Sequence, residues 1–302
     1  MYDISKGGIR EMSTKTIIIT DSNCDLSEKY LSENNIPVIP FHFTLKGQDY
    51  EDNFGKSISY KEFYDELRKG EMSTTSQITP YTYEEYFRKY VAEGYSVIYI
   101  GFSSALSESF NHSISAKNMI SSDIPEADIS LIDSKAASVG QGLLVVKAAD
   151  MLRQGKSKEE IVDWVEKNKL RVNHWFTVDS LDHLKRGGRL SAASAVVGTV
   201  LNVKPILIVD QYGKLVPVKK VRGRKKAIQE LFAELMNSGV DAHEQSVYIS
   251  HGDCSEDAEY LKNLIIDKLG IKNVAVNYLG PIIGTHTGPG LLALMFIGAE
   301  RK

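Results

Sequence analysis

The stretch Ser96-Val-Ile-Tyr-Ile-Gly-Phe-Ser-Ser-Ala-Leu-Ser107 decides the fold. Ser96 to Ile100 is a short, buried apolar strand, and Gly101 to Ser107 is a serine-rich turn into a helix through Phe110, Ile114 and Met119. The same order recurs on either side. Thr16 to Thr20 leads through Asp21-Ser-Asn-Cys-Asp25 into a helix through Leu26, Tyr30 and Leu31, with Asp25 or Ser27 as its N-cap. Ile129 to Ile132 leads through Asp133-Ser134 into the apolar helix Leu143 to Leu152. Apolar strands alternating with helices predict βαβ units and a parallel sheet covered on both faces. The polar turns then share the carboxyl edge of that sheet, where such folds collect ligands, so Asp21, Ser22, Ser103, Ser104, Asp133 and Ser134 meet there.

Shorter features fill the gaps. Ile36 to Phe43 and Leu45 to Tyr50 predict an edge ribbon with a glycine turn, and Ser59 to Lys69 an amphipathic helix ended by Gly70. Ser73-Thr-Thr-Ser-Gln77 reads as a hydroxyl-rich turn before the helix Thr82 to Ala92. Past the charged helix Lys158 to Lys169 the pattern changes. Strands at His174 to Val178, Val203 to Asp210, Lys214 to Val221, Val247 to Ser250 and Asn273 to Tyr278 are spaced by helices at Leu181 to Arg186, Ala192 to Leu201, Arg224 to Met236 and Glu256 to Leu269. This half fits a mixed or antiparallel sheet with helices on one face. The expected organisation is a disordered tail over 1–13, a parallel-sheet α/β domain over 14–165 and a mixed-sheet α/β domain over 166–302.

Gly280-Pro-Ile-Ile-Gly-Thr-His-Thr-Gly-Pro-Gly290 places His286 between two threonines in a segment of glycines and prolines, ahead of the apolar run Leu291 to Ile297. The composition predicts an exposed backbone that a ligand approaches closely. A neutral imidazole there can donate to a carboxylate directly or through a neighbouring hydroxyl. Ser73 to Gln77 and Gly101 to Ser107 are its natural partners; in the second, amides at a helix entrance favour a carboxylate or phosphate, although a lone serine there more often caps the helix.

Composition narrows the function. The 302 residues carry a net charge of -3, giving no reason to expect a nucleic-acid partner, and the cysteines Cys24 and Cys254 match no metal-ligand spacing. No apolar run reaches the roughly 18 residues that span a bilayer, and a cytoplasmic protein is expected. Lys219 to Lys226 is the densest cationic cluster; cations at a helix start run against the dipole and hint at an anionic partner. Ser104, His286 and Asp21 can be drawn as a hydrolytic triad, yet no G-x-S-x-G elbow, P-loop or H-E-x-x-H is present. A binding protein is the first reading and a serine-dependent acyl hydrolase or transferase using Ser104 and His286 the second.

The ordered set Thr20-Asp-Ser22, Ser73-Thr-Thr-Ser-Gln77, Gly101 to Ser107, Leu131-Ile-Asp-Ser134, Leu184-Lys-Arg-Gly-Gly-Arg189, Lys204-Pro-Ile206, Arg222-Gly-Arg-Lys-Lys226 and Gly284 to Gly290 resembles the DegV family over nearly the whole chain. The resemblance implies two α/β domains enclosing one long-chain fatty acid, no cofactor or metal, and service as the acyl-binding subunit of a bacterial fatty acid kinase, with transient membrane contact for lipid exchange. By motif, Thr75, Ser104 and His286 would hold the carboxylate, supported by Thr74, Ser76, Ser103, Gly284, Thr285 and Thr287. Arg222 or Arg224 would face the kinase or the transferred phosphate. Burying about 16 carbons at roughly 0.8 kcal/mol per methylene gives on the order of 12 kcal/mol before losses, so the polar contacts need only orient the head group. Ala192 to Leu201 and the apolar strands are candidate linings for the tail, and ordinary core packing is just as consistent with their sequence.

Overall fold

The computed structural model describes residues 15–190, 202–239 and 245–301. The tail expected over 1–13 and the small-residue helix expected at 192–201 lie outside the described residues. The first half runs β1 (Lys15–Asp21), α1 (Glu28–Glu33), β2 (Val38–Ile39), β3 (His42–Leu45), β4 (Gln48–Glu51), α2 (Tyr60–Arg68), β5 (Ser73–Ser76), α3 (Pro80–Ala92), β6 (Tyr95–Gly101), α4 (Ser109–Asp123), β7 (Ile129–Asp133), α5 (Val139–Arg153) and α6 (Lys158–Asn168). β2, β1, β6 and β7 form a parallel sheet in that order. Its side chains divide between two cores. Ile18, Ile98, Ile100 and Ile132 pack with Leu31, Leu144 and Ile161 of α1, α5 and α6, while Ile19, Val97 and Tyr99 pack with Phe63, Phe87 and Phe110 of α2, α3 and α4. Burial on both faces is what removes polar alternation from these strands.

Four helices of the first half, α1, α2, α3 and α6, start where short hydroxyls accept the unpaired first-turn amides. Ser27, Ser59 and Ser157 accept from the amides of Tyr30, Glu62 and Glu160, and the Glu160 carboxylate returns a bond to the Ser157 amide. Thr79 does the same for α3, ahead of Pro80 at its first position.

The second half runs β8 (Val172–Thr177), α7 (Asp182–Arg186), β9 (Val203–Val209), β10 (Leu215–Arg222), α8 (Arg224–Ser238), β11 (Val247–His251), α9 (Ser255–Leu269), β12 (Val274–Tyr278), α10 (Pro281–Thr287) and β13 (Leu292–Ile297). The sheet order is β10-β9-β8-β13-β11-β12, with β11 and β12 parallel and the other pairs antiparallel. The expected mixed sheet is therefore present. Period-two alternation splits β13: Leu292, Leu294 and Phe296 face α8 and α9, whereas Ala293 and Met295 face the opposite side with Phe176 and Leu207. That opposite face turns toward the first half of the chain.

Two local expectations fail for physical reasons. Ser73 to Ser76 is a strand, not a turn, because it pairs antiparallel with β3 in a three-stranded sheet of order β4-β3-β5, with Thr75 opposite Phe43. The segment after Gly280 is a helix, not an open loop. Pro281 occupies its first position, the hydroxyls of Thr285 and Thr287 bond back to the carbonyls of Pro281 and Ile283, and Gly288 ends it at φ 74°. The serine-rich turn stops short of α4, whose N-cap position is Glu108; Ser107 accepts from the amide of Ser109, the first residue of the helix, at 3.3 Å, and Ser104 takes no part.

Candidate functional site

An apolar cavity of about 330 Å³ lies between the two halves. Phe41 and Phe102 come from the first half, Phe176, Val209, Leu215, Ala293 and Met295 from the mixed sheet, and Ile282 and Ile283 from α10. Its volume is at the lower end of the range for small-molecule sites, roughly 300 to 1,000 Å³. One end is polar, with Thr75, Ser76, Gln77, Ser107, Arg189 and His286 in the wall.

Strand geometry explains that end. Successive residues of β5 alternate in direction, which sends Ser73 and Thr75 toward α10: Ser73 accepts from the Thr285 hydroxyl at 2.9 Å, and Thr75 Oγ1 and His286 Nε2 share a hydrogen bond of 2.9 Å. His286 Nδ1 is buried without a partner. It faces Gly187 so closely that a Cβ there would lie 2.2 Å away. Burial, with the Arg189 guanidinium adding to it, pushes His286 down to about 4, so the ring is neutral near pH 7 and offers one N–H donor.

Arg189 is half-buried and donates to neutral acceptors, from Nε to the Leu106 carbonyl at 3.1 Å and from a terminal nitrogen to that of Gly187 at 2.5 Å. No carboxylate of the described residues pairs with it. A half-buried cation with neutral partners, beside hydroxyls and a neutral imidazole in the wall of an apolar cavity, suits an anion carried on an apolar tail. A second, outer cavity of about 270 Å³, lined in part by exposed Glu71, Met72, Thr74 and Arg186, lies across this wall from the first, inner one, and Thr75, Arg189 and His286 line both.

The structure thus brings together Thr75, Ser76, His286 and Thr287 around the first cavity, and Thr74, Thr75, Thr285 and His286 around the second. Ser103 and Ser104 join neither. The Ser103 hydroxyl donates to the Gly213 carbonyl at 3.0 Å, fastening the turn to the β9–β10 hairpin. The Ser104 hydroxyl donates to the Asp133 carboxylate and accepts from Lys135 Nζ at 3.1 Å. Ser104 lines neither cavity, because Asp133, at the end of the neighbouring strand, holds its hydroxyl; Ser107 is the serine of this turn that lines the first cavity, with its hydroxyl 3.0 Å from that of Ser109. Nor do Ser104 and His286 form a nucleophile and base, since the imidazole engages Thr75. Gly284 is small for packing, because a Cβ there would meet the Tyr64 hydroxyl at 2.6 Å.

Asp21 holds the carboxyl edge together. Its carboxylate accepts from the Phe102 amide and the Tyr99 hydroxyl, each at 2.8 Å, and burial raises it to about 6. Of the two arginines expected at a partner surface, Arg222 is exposed at the end of β10, while Arg224 is bonded through Nε to Asp257 at 2.8 Å. Arg189 and Ser107 were not among the residues expected to hold the carboxylate, although both lie in stretches that stand out in the sequence. The paired glycines before Arg189 account for the end of α7, and they also carry an arginine across to His286. Among the described residues no cluster of histidine, cysteine and carboxylate side chains could hold a metal ion.

The comparisons with known proteins agree with this architecture. A DegV domain-containing protein of Clostridium perfringens is 44% identical over 288 residues, covering 95% of this chain and 99% of that protein. The crystal structure of DegV from Bacillus subtilis, described as a fatty acid binding protein, is 31% identical with a TM-score of 0.79, covering 94% of this chain and 99% of that one. A stearic-acid-binding protein from Eubacterium ventriosum is 28% identical with a TM-score of 0.84, covering 93% and 97%. The model of the DegV family, described as uncharacterised protein, matches residues 15–299. This chain belongs to the DegV family.

Proposed function

We propose that this protein binds one long-chain fatty acid, with the acyl chain in the inner cavity and the carboxylate at Thr75, Ser107, Arg189 and His286, and presents it to a separate kinase for acyl-phosphate formation. The observation that carries the reading is the half-buried guanidinium of Arg189, paired with no carboxylate among the described residues, beside the Thr75–His286 pair at the polar end of an apolar cavity. The fatty-acid-binding relatives from Bacillus subtilis and Eubacterium ventriosum support it. The protein is then a binding subunit and not itself the catalyst. The kinase reaches the carboxylate from the outer cavity, and exposed Arg222 is the better candidate for docking it, Arg224 being held by Asp257. Such a carrier works in the bacterial cytoplasm and touches the membrane only to exchange lipid. No helix among the described residues is long and apolar enough to cross a bilayer.

Native mass spectrometry of the purified protein, before and after denaturing extraction, tests the binding step. One acyl chain per protein, released on denaturation, is expected; no chain in any preparation and no uptake of added palmitate would overturn it. Arg222→Ala is expected to retain lipid and to lower kinase-coupled acyl-phosphate formation.

A further inference from the structure

The wall of the inner cavity holds one polar group that the protein itself leaves unsatisfied. Among the described residues, the fully buried polar side chains in that wall are Asn23, Ser138, His174 and Thr287. Three of them have partners. Ser138 bonds to the Asp25 carboxylate and lies 2.8 Å from the Ser250 hydroxyl, and Thr287 donates to the Ile283 carbonyl at 3.0 Å. His174 Nε2 accepts from the Ala137 amide at 3.3 Å, which leaves Nδ1 to donate to the Val172 carbonyl at 3.1 Å. Asn23 differs: it is 1% exposed, and its Nδ2 is buried with no acceptor. It comes from the turn after β1, whereas Thr75, Arg189 and His286 come from β5, α10 and the segment after α7. The backbone around it is fixed. The Asn23 amide donates to the Asp21 carboxylate at 3.1 Å, and the Ser22 hydroxyl accepts from the Phe41 amide at 3.1 Å.

We infer that the inner cavity takes a fatty acid with an oxygen substituent, hydroxyl or oxo, on its chain, and that Asn23 is the residue that selects it. The inference rests on the fatty-acid reading above and adds the class of chain. A plain alkyl chain laid over the Asn23 carboxamide offers no acceptor and keeps out any water that could serve as one. An oxygen at that depth supplies the acceptor. A site with a buried polar group of its own discriminates strongly against an analogue that leaves that group unpaired, more strongly than an apolar wall discriminates between chain lengths. The substituent is neutral, because Arg189 is the one charged side chain among the described residues of this wall and the carboxylate takes it. A carbon–carbon double bond answers the same nitrogen only with its π electrons, a much weaker acceptor.

Calorimetry tests it. Dissociation constants are measured for palmitate, palmitoleate and a series of hydroxy- and oxopalmitates whose oxygen moves one carbon at a time along the chain. Wild type is compared with Asn23→Leu, close in volume, and with Asn23→Ala, which adds no bulk; thermal unfolding checks both variants. Wild type is expected to bind a narrow group of oxygen positions roughly tenfold or more tighter than palmitate. Both variants are expected to lose that preference, and Asn23→Leu to bind palmitate more tightly than wild type does. Palmitate bound as tightly as every oxygenated isomer, or a positional preference that survives in both variants, would overturn the selection by Asn23 and leave the fatty-acid reading standing. A preference for palmitoleate over the oxygenated chains that both variants lose would make Asn23 a reader of the double bond and also overturn the inference. A wild-type protein that takes none of these chains would overturn both readings.

Discussion

Replacing Gly187 with alanine is expected to weaken fatty-acid binding without unfolding the protein. Gly187 has φ -70° and ψ -7°, ordinary right-handed values that alanine adopts freely, so the substitution carries no backbone strain. Its effect comes through one contact. The new Cβ would lie 2.2 Å from His286 Nδ1 and 3.2 Å from Cγ and Cε1 of the same ring. Restoring a van der Waals separation requires the imidazole to withdraw by about 1 Å. Because Cγ and Cε1 are equally distant, the Cβ lies on the outward axis of Nδ1 and drives the ring toward Thr75, so the imidazole must rotate off the 2.9 Å Thr75–His286 bond to relieve both contacts. Losing one charge-assisted bond to a carboxylate costs about 1.5–3 kcal/mol, or a roughly ten- to 150-fold rise in the dissociation constant. Titration calorimetry with palmitate measures it, and thermal unfolding checks that the fold survives. In a His286→Ala background the same glycine substitution is expected to cost nothing, because the group it displaces is gone. Unchanged palmitate affinity in Gly187→Ala, or an equal loss in the His286→Ala background, would refute the placement of His286 at the head group.

Three further outcomes follow from the same geometry. Ser107→Ala is expected to weaken palmitate binding by roughly tenfold while Ser104→Ala leaves it nearly unchanged, since the Ser104 hydroxyl is spent on Asp133 and Lys135; the reverse order in calorimetry would restore Ser104 to the site. Asp52, buried with one carboxylate oxygen unpartnered, is pushed up from 3.8 to about 7, so its folded form prefers the proton and the wild type loses stability as pH rises from about 4 through 7. Asp52→Asn is expected to remove part of that fall, a relief of up to about 4 kcal/mol at pH 8 and little at pH 4, read by denaturant unfolding. His286 acts with the opposite sign, its contribution being full above pH 6.5 and lost toward about 4. Ala293→Phe places a ring in the inner cavity and is expected to shift preference to shorter acyl chains, read by competition among saturated fatty acids of graded length.

What the sequence made legible follows from the physics of each segment. β1, β6 and β7 are plain because burial on both sheet faces leaves unbroken apolar runs, and the turns after them predicted a common edge, where Asp21, Asp133 and the serines do meet. β5 and α10 were hidden because serine, threonine and glycine carry weak local preference. A neighbouring strand decides the first, and Pro281 with back-bonding threonines the second. The meeting of the Ser73–Gln77 stretch with His286 could be anticipated from composition, whereas the choice of Thr75 came from the family resemblance. The choice between Ser104 and Ser107 could not be anticipated, because it depends on Asp133 arriving from another strand. Arg189 was legible as a charge and not as a site, since its role depends on its closeness to His286.

In the proposed binding mode the carboxylate sits against Thr75, Ser107, Arg189 and His286. Carbon-13 NMR of carboxyl-labelled palmitate bound to the protein tests it most directly. One bound carboxyl resonance is expected, titrating well below free palmitate because Arg189 and the hydrogen bonds favour the anion, and moving in Thr75→Val, His286→Gln and Arg189→Met. A bound carboxyl that titrates like free palmitate and ignores all three substitutions would contradict the account.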